Sequence, residues 1–468
     1  MENLNDEIKV NLAAVEKKLK LQRDFFLSKQ TFSNTFRLNQ LKKFLKNLKL
    51  YELKFADALK QDLGKSKTES FITETGFVYP ELKHTIRNLK RWMEKKVVET
   101  PLAHFPSTSY KVAEPKGVVL IISPWNYPVN LALSPLVASI SAGNCSVIKP
   151  SEFTPFTNKV LKDFIEETFA PEFVTLVEGE GHLVIPQMLD VFRFDHIFFT
   201  GSPQVGRLIN IKAAENLIPV TLELGGKSPC IVDTSAKIKV TAKRIISGKY
   251  INVGQTCVAP DYLIVHESIK QKLIDEMVKA IKQFFGEQIE NSEAYGKIIN
   301  QNRFNTLNNL LEGNQIIFGG KNNEETLFFE PTLIEGNIED SIMKEEIFGP
   351  ILPIFSYKKE EEIFDLIAKN PHPLALYVFS EKESFIEKIT TKIQFGGGCI
   401  NNTLIHLANP SLPFGGLMNS GFGRYHGEDG FVNLSNIKSI TNTSSSIDIP
   451  LRYPPYTSFK EKVIKLFF

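Results

Sequence analysis

Over the first hundred residues, apolar positions recur every three or four residues. Beyond residue 117 they collect into short runs, which predicts a helical layer followed by an alternating α/β region. Leu38, Leu41, Leu45 and Leu48 repeat at helical spacing with lysines between them, Ser33 or Asn34 caps the start, and Gly64 ends the pattern. Phe71, Phe77, Val78, Leu82, Ile86, Leu89 and Trp92 predict a second helix over residues 68–95. The Pro- and Thr-containing segment 97–112 breaks that pattern and predicts a hairpin leaving the domain body.

From Gly117, apolar runs at 117–122, 145–148, 174–177, 196–199 and 219–222 alternate with helical stretches at 128–142, 155–168, 183–190 and 203–214. This is the pattern of an open parallel sheet with helices on both faces, which binds ligands beyond the carboxyl ends of its strands. A second set of strands, at 229–232, 261–265, 331–334, 350–355, 374–379 and 398–400, predicts a second α/β domain beginning near Glu223. The fold class is therefore α/β, with two open parallel-sheet domains and a small hairpin.

Composition removes several classes of function. Of 468 residues, 42% are hydrophobic and 23% charged, an ordinary globular balance. The 55 basic and 53 acidic residues leave a net charge of +2, too little to steer nucleic acid or anionic lipid. Four cysteines, at 145, 230, 257 and 399, show neither disulfide nor zinc spacing, which fits a reducing compartment such as the cytoplasm and implies no metal. The acidic, polar N-terminus does not look like a leader, and no apolar run approaches the roughly 18 residues of a membrane span.

Candidate chemistry sits at the ends of predicted strands. Gly254 and Pro260 bracket Cys257 with turn signals and put a thiol on a loop, although most cysteines are simply small buried hydrophobes. Upstream, an apolar strand ends in Glu223 followed by Gly225 and Gly226. Gly201, Ser202, Pro203 and Gly206 combine a strand end with an N-cap and the first turn of a helix. That geometry serves a pyrophosphate or merely a good helix start. Lys149 and Glu152 suit ribose hydroxyls or a solvated turn. Asn126, between Pro124 and Pro128, suits an oxyanion or plain turn chemistry, and Glu346 with Phe348 suits a ligand platform or core.

Together these stretches resemble the signatures of the aldehyde dehydrogenase superfamily, in the family's order, from about residue 10 to 455. The run Gly254-Gln255-Thr256-Cys257, with Pro413-Phe414-Gly415-Gly416 and Gly423-Arg424-Tyr425-His426-Gly427, is most similar to the class 3 branch, whose enzymes oxidise fatty and aromatic aldehydes. The resemblance implies Cys257 as nucleophile, Glu223 as general base, and Asn126 with the Cys257 N–H as oxyanion donors. It implies NAD or NADP as cofactor, with Lys149 and Glu152 at the adenosine ribose, Gly201, Ser202 and Gly206 near the pyrophosphate, and Glu346 and Phe348 at the nicotinamide. Tyr127, Leu404, Leu407 and Phe414 match the class 3 substrate tunnel, and their apolar character suits medium or long aliphatic and aromatic aldehydes. The implied organisation is an NAD(P)-binding domain from 1–96 and 113–222, a catalytic domain from 223–430, bridging segments at 97–112 and 431–450 that make a homodimer, and a tail at 451–468.

Val253 and the pair Leu417-Met418 depart from the branch pattern and bear on substrate choice rather than on a catalytic role. An acylating dehydrogenase passing its thioester to coenzyme A is the alternative enzyme, but such enzymes usually lack the base that Glu223 supplies. A silent scaffold predicts loss of the nucleophile or the base, and both are present. The amphipathic tail from Lys460 to Phe468 is too short to span a membrane, and packing on a partner subunit or on the domain surface suits it better.

Overall fold

The computed structural model describes residues 2–337 and 341–466. Phe467 and Phe468, the apolar end of the tail, lie outside the described residues.

Ser33 opens the helix Asn34–Leu63 by accepting the Phe36 N–H on its hydroxyl, and Gly64 closes it at φ 71. Leu41, Phe44, Leu48, Phe55 and Leu59 are fully buried along one stripe of this helix. Each such side chain contributes about 1.5–3 kcal/mol by leaving water. The stripe packs on the helix Pro155–Thr168, where Phe164 is held between Phe44, Tyr51 and Phe55 at ring-centre distances of 5.6, 5.4 and 5.8 Å.

The stretch read as one helix over 68–95 is interrupted. A single turn, Lys67–Ser70, leads into a π-helical turn, Phe71–Thr75, before the helix Gly76–Trp92. Such a turn inserts one extra residue and shifts the phase of the stripe, so that Phe71, expected within it, is exposed along with Ile72, while Thr73, Glu74 and Thr75 turn into the core.

The first sheet has six strands in the order Gly421–Phe422, Val220–Leu224, His196–Gly201, Val118–Ile122, Cys145–Lys149 and Val174–Leu176. The last five are parallel, so their carboxyl ends share one edge, with Ile122 beside Lys149 and Phe199, and Thr200 beside Glu223. The second sheet orders Ile316–Phe318, Thr332–Glu335, Ile351–Tyr357, Tyr262–His266, Pro229–Val232, Ala375–Phe379 and Gly397–Ile400. Neither sheet is wholly parallel. Gly421–Phe422 and Ile316–Phe318 each close an edge in the antiparallel sense, strands too short to leave an alternating pattern in sequence.

The segment expected to form a hairpin does so, with Lys96–Val98 pairing Ser107–Pro115, and Ser435–Thr443 adds a third strand. The chain thus leaves the second sheet and returns to the first. Gly421 lies opposite Glu223, and Phe431 of the following helix packs on Trp92 at 5.8 Å.

Candidate active site

The thiol is carried by a loop that the backbone forces out of helix. After the helix Ile238–Tyr250, three successive residues take left-handed conformations: Asn252 at φ 50, Val253 at φ 56 and Gly254 at φ 74. The two non-glycine residues each cost about 1–2 kcal/mol, an expense met by hydrogen bonds. The Asn252 N–H donates to Glu69 Oε1 at 2.7 Å, its side-chain amide donates to the Asn126 carbonyl at 2.8 Å, and Gln255 Oε1 accepts the Ile299 N–H at 3.0 Å. Gly254 is required on space as well, because a Cβ there would overlap the Gly349 carbonyl.

Cys257 is half-buried, and its own N–H and that of Val258 point at the sulfur. Burial is the largest influence on the thiol and pushes it up; the negative charges of Glu346 and then Glu223 push it the same way. Burial and both carboxylates therefore favour the protonated thiol. Alkylation of Cys257 by iodoacetamide is expected to keep rising tenfold per pH unit through about pH 9. A plateau below pH 8 in a pH–rate profile would refute this.

Glu223 lies at the carboxyl edge of the first sheet and is buried, with no hydrogen-bond partner for either carboxylate oxygen among the described residues. Burial holds its carboxyl well above the usual range, and only the Arg424 guanidinium works against this. Arg424 is anchored by donating to the carbonyls of Gly396 and Gly415 at 2.9 and 2.5 Å. Asn126 is buried and donates from its side-chain amide to the Gln255 carbonyl at 3.0 Å, two residues from Cys257.

Glu346 and Phe348 sit on a clamped loop. Lys227 donates to the carbonyls of Ile342 and Glu345 at 2.8 and 3.0 Å, and Asp261 accepts the Ile347 N–H at 3.0 Å. Phe348, at φ 46, meets Trp125 edge-on at 5.4 Å. Burial and then Asp261 push the Glu346 carboxyl up, while Arg303 and Lys227 oppose. A side chain at Gly225 would overlap that carboxylate.

The nucleotide candidates line the carboxyl edge of the first sheet. Lys149 is buried, donates to the Pro150 carbonyl at 2.6 Å and lies 3.5 Å from Glu152, whose other oxygen accepts the Gly181 N–H at 3.2 Å. Ser202 caps the helix Pro203–Ala214, and a Cβ at Gly206 would come within 2.6 Å of Leu224. Along the same edge, the hydroxyls of Ser123 and Thr200 are buried without a partner among the described residues. An ammonium with donors to spare, two orphaned hydroxyls and an open helix start fit a dinucleotide. Among the described residues, no group of three His, Cys, Asp or Glu side chains could hold a metal ion.

Cys257, Glu223, Asn126 and Glu346 converge, linked by hydrogen bonds or by mutual charge effects. The four tunnel candidates have other contacts as well. The Tyr127 hydroxyl bonds Thr256, and Phe414 meets Tyr425 edge-on at 5.7 Å in the core. Leu404 and Leu407 are half-buried. Pattern reading missed Arg424, although it lies within a quoted stretch, and also Lys65, Glu69, Glu74 and Tyr377. Tyr377 donates to the Val258 carbonyl at 2.6 Å.

Residues 9–440 match the sequence model of the aldehyde dehydrogenase family. The chain is 46% identical to 4,4'-diaponeurosporen-aldehyde dehydrogenase of Staphylococcus aureus, over 97% of this chain and 99% of that one. It is 38% identical to aldehyde dehydrogenase family 3 member B1 of Mus musculus, over 96% of each. Among solved structures, the substrate-bound state of Staphylococcus aureus AldH superposes with a TM-score of 0.94 at 45% identity, covering 97% of this chain and 99% of that one. Betaine aldehyde dehydrogenase of the same organism, in complex with NAD+, superposes with a TM-score of 0.83 at 27% identity, covering 94% and 89%.

Proposed function

Since the chain belongs to the aldehyde dehydrogenase family, with class 3 members among its relatives, we propose that it oxidises medium- or long-chain aliphatic or aromatic aldehydes to carboxylic acids through a thioester on Cys257. The observation that carries this is a loop thiol beside a buried carboxyl, Glu223, whose two oxygens have no partner among the described residues and are free to hold a water. The Cys257 thiol gives its proton to solvent as its sulfur attacks the aldehyde carbon, and the new oxyanion is received by the Asn126 amide and the Cys257 N–H. A bound NAD or NADP supplies the two-electron oxidant that raises this carbon to the thioester level. Lys149, Glu152 and Ser202 with the helix start behind it hold that nucleotide, and Phe348 and Glu346 hold its nicotinamide end.

Glu223 then takes a proton from water as it attacks the thioester. A carboxyl raised by burial is a stronger base than a solvated one, which suits this step.

Tyr127, Leu404, Leu407 and Phe414 line the aldehyde side, and the relative named for 4,4'-diaponeurosporen-aldehyde supports an apolar substrate. The family 3 likeness and the exposed three-stranded sheet support a homodimer, and the four free cysteines suit a reducing compartment such as the cytoplasm. No helix among the described residues is long and apolar enough to cross a membrane.

The test is steady-state nucleotide reduction with a medium-chain aldehyde, without coenzyme A. Sustained turnover is expected; a single burst that resumes only on adding coenzyme A would establish an acylating enzyme instead. In the same assay, Asn126→Ala lowers kcat by about 10²–10³-fold with little change in KM, the loss seen when one oxyanion donor is removed. A change confined to KM would count against the oxyanion role.

A further inference from the structure

Beneath Asn126 lies a charged cluster that takes no part in the chemistry above. Lys65 and Glu74 are both fully buried and pair at 2.7 Å. Lys65 also donates to the backbone carbonyl of Asn126 at 2.9 Å and lies over the Tyr127 ring at 4.1 Å. The second Glu74 oxygen accepts the N–H groups of Val129 and Asn130 at 3.1 and 2.8 Å, which ties down the chain just beyond Asn126. From the same short segment, Glu69 holds the Asn252 N–H at 2.7 Å. The Asn252 amide closes the circuit on the Asn126 carbonyl at 2.8 Å and on the Gln255 carbonyl at 3.2 Å.

A buried ion pair contributes little net stability against a well-packed apolar pair of the same volume, so these charges are better explained by the geometry they impose. They brace, from beneath, two loops that also bond each other directly through Asn126 on Gln255 and Tyr127 on Thr256: the strand end carrying Asn126 and Tyr127, and the left-handed turn carrying Asn252 to Cys257. One Asn126 amide N–H is spent on the Gln255 carbonyl at 3.0 Å, so the direction of the other depends on how the two loops are held.

We propose that Lys65, with Glu74 and Glu69, is a positioning residue that aims the free Asn126 N–H at the oxyanion formed on Cys257, touching neither aldehyde nor nucleotide. This rests on the reading of Asn126 as an oxyanion donor. The π-helical turn is then functional, because it brings Glu74 inward while Glu69 stays on the side of the nucleophile loop.

The test is the variant Lys65→Met/Glu74→Gln in the full chain, which removes both charges together, crossed with Asn126→Ala. Rates are normalised to the Cys257 that iodoacetamide alkylates, so loss of folded enzyme does not count. The expected result is a kcat about 10–100-fold lower, with nucleotide affinity and alkylation rate unchanged and no more than about twofold further loss in the Asn126→Ala background. Should that variant not fold, Glu69→Ala against Glu69→Gln serves instead, because glutamine keeps an oxygen for the Asn252 N–H and should recover most of the rate that alanine loses.

Fully additive losses, an unchanged normalised kcat, alkylation falling in step with kcat, or equal rates for the two Glu69 variants would each overturn the role. A wild type that oxidises no aldehyde would remove the proposed function as well. A wild type that turns over while the crossed variants add independently would remove this inference alone.

Discussion

Cys257→Ser is expected to lose aldehyde oxidation by about 10⁴-fold or more, the order lost when a covalent nucleophile is removed. Nucleotide affinity should stay within about twofold. Serine keeps the loop, since the left-handed turn at Asn252 to Gly254 and the contacts of Gln255 do not involve the sulfur. A hydroxyl ionises far less readily than a thiol, and in a site where burial and two carboxylates already oppose negative charge it has no means of becoming nucleophilic. Steady-state rates paired with a fluorescence titration of the nucleotide separate the two quantities. A serine variant retaining a hundredth of the wild-type rate would mean that the thiol is not the attacking atom.

Glu223→Gln is expected to stall after one turnover. Glutamine matches the carboxylate in shape but accepts no proton from water, so thioester hydrolysis slows by about 10²–10⁴-fold while the first nucleotide reduction survives. Rapid mixing should show a burst approaching one reduced nucleotide per subunit, then a slow steady rate. The sign of the pH dependence follows from the raised carboxyl: hydrolysis in the wild type rises with pH as Glu223 loses its proton, and this rise disappears in the variant.

The parts of the fold with a strong period were legible in the sequence. Leu41 to Leu48 mark their helix, and the fully buried strands Val118–Ile122 and Cys145–Lys149 stand out as apolar runs between turn residues. Cys257 was legible because Gly254 and Pro260 bracket it. The antiparallel edge at Gly421–Phe422 was not, since two residues show no alternation, yet it brings the segment containing Arg424 up to Glu223. The π-helical turn was hidden because Phe71 keeps an approximately helical spacing with Val78 and Leu82 in the sequence, although it is exposed in the structure. Lys65 and Glu74 were equally silent: a lysine after a helix-ending glycine and a glutamate in a helical stretch read as solvated, and only their meeting in space makes them a buried pair. Tertiary contacts decide which charges are buried, and no local pattern records them.

Every step of the proposed reaction passes through a thioester at Cys257. Acid-quenching Glu223→Gln with aldehyde and nucleotide, followed by mass measurement of the peptide containing Cys257, tests this directly. An added mass equal to the acyl group, in proportion to the nucleotide reduced, is the predicted result. Reduced nucleotide alongside an unmodified Cys257 would contradict it.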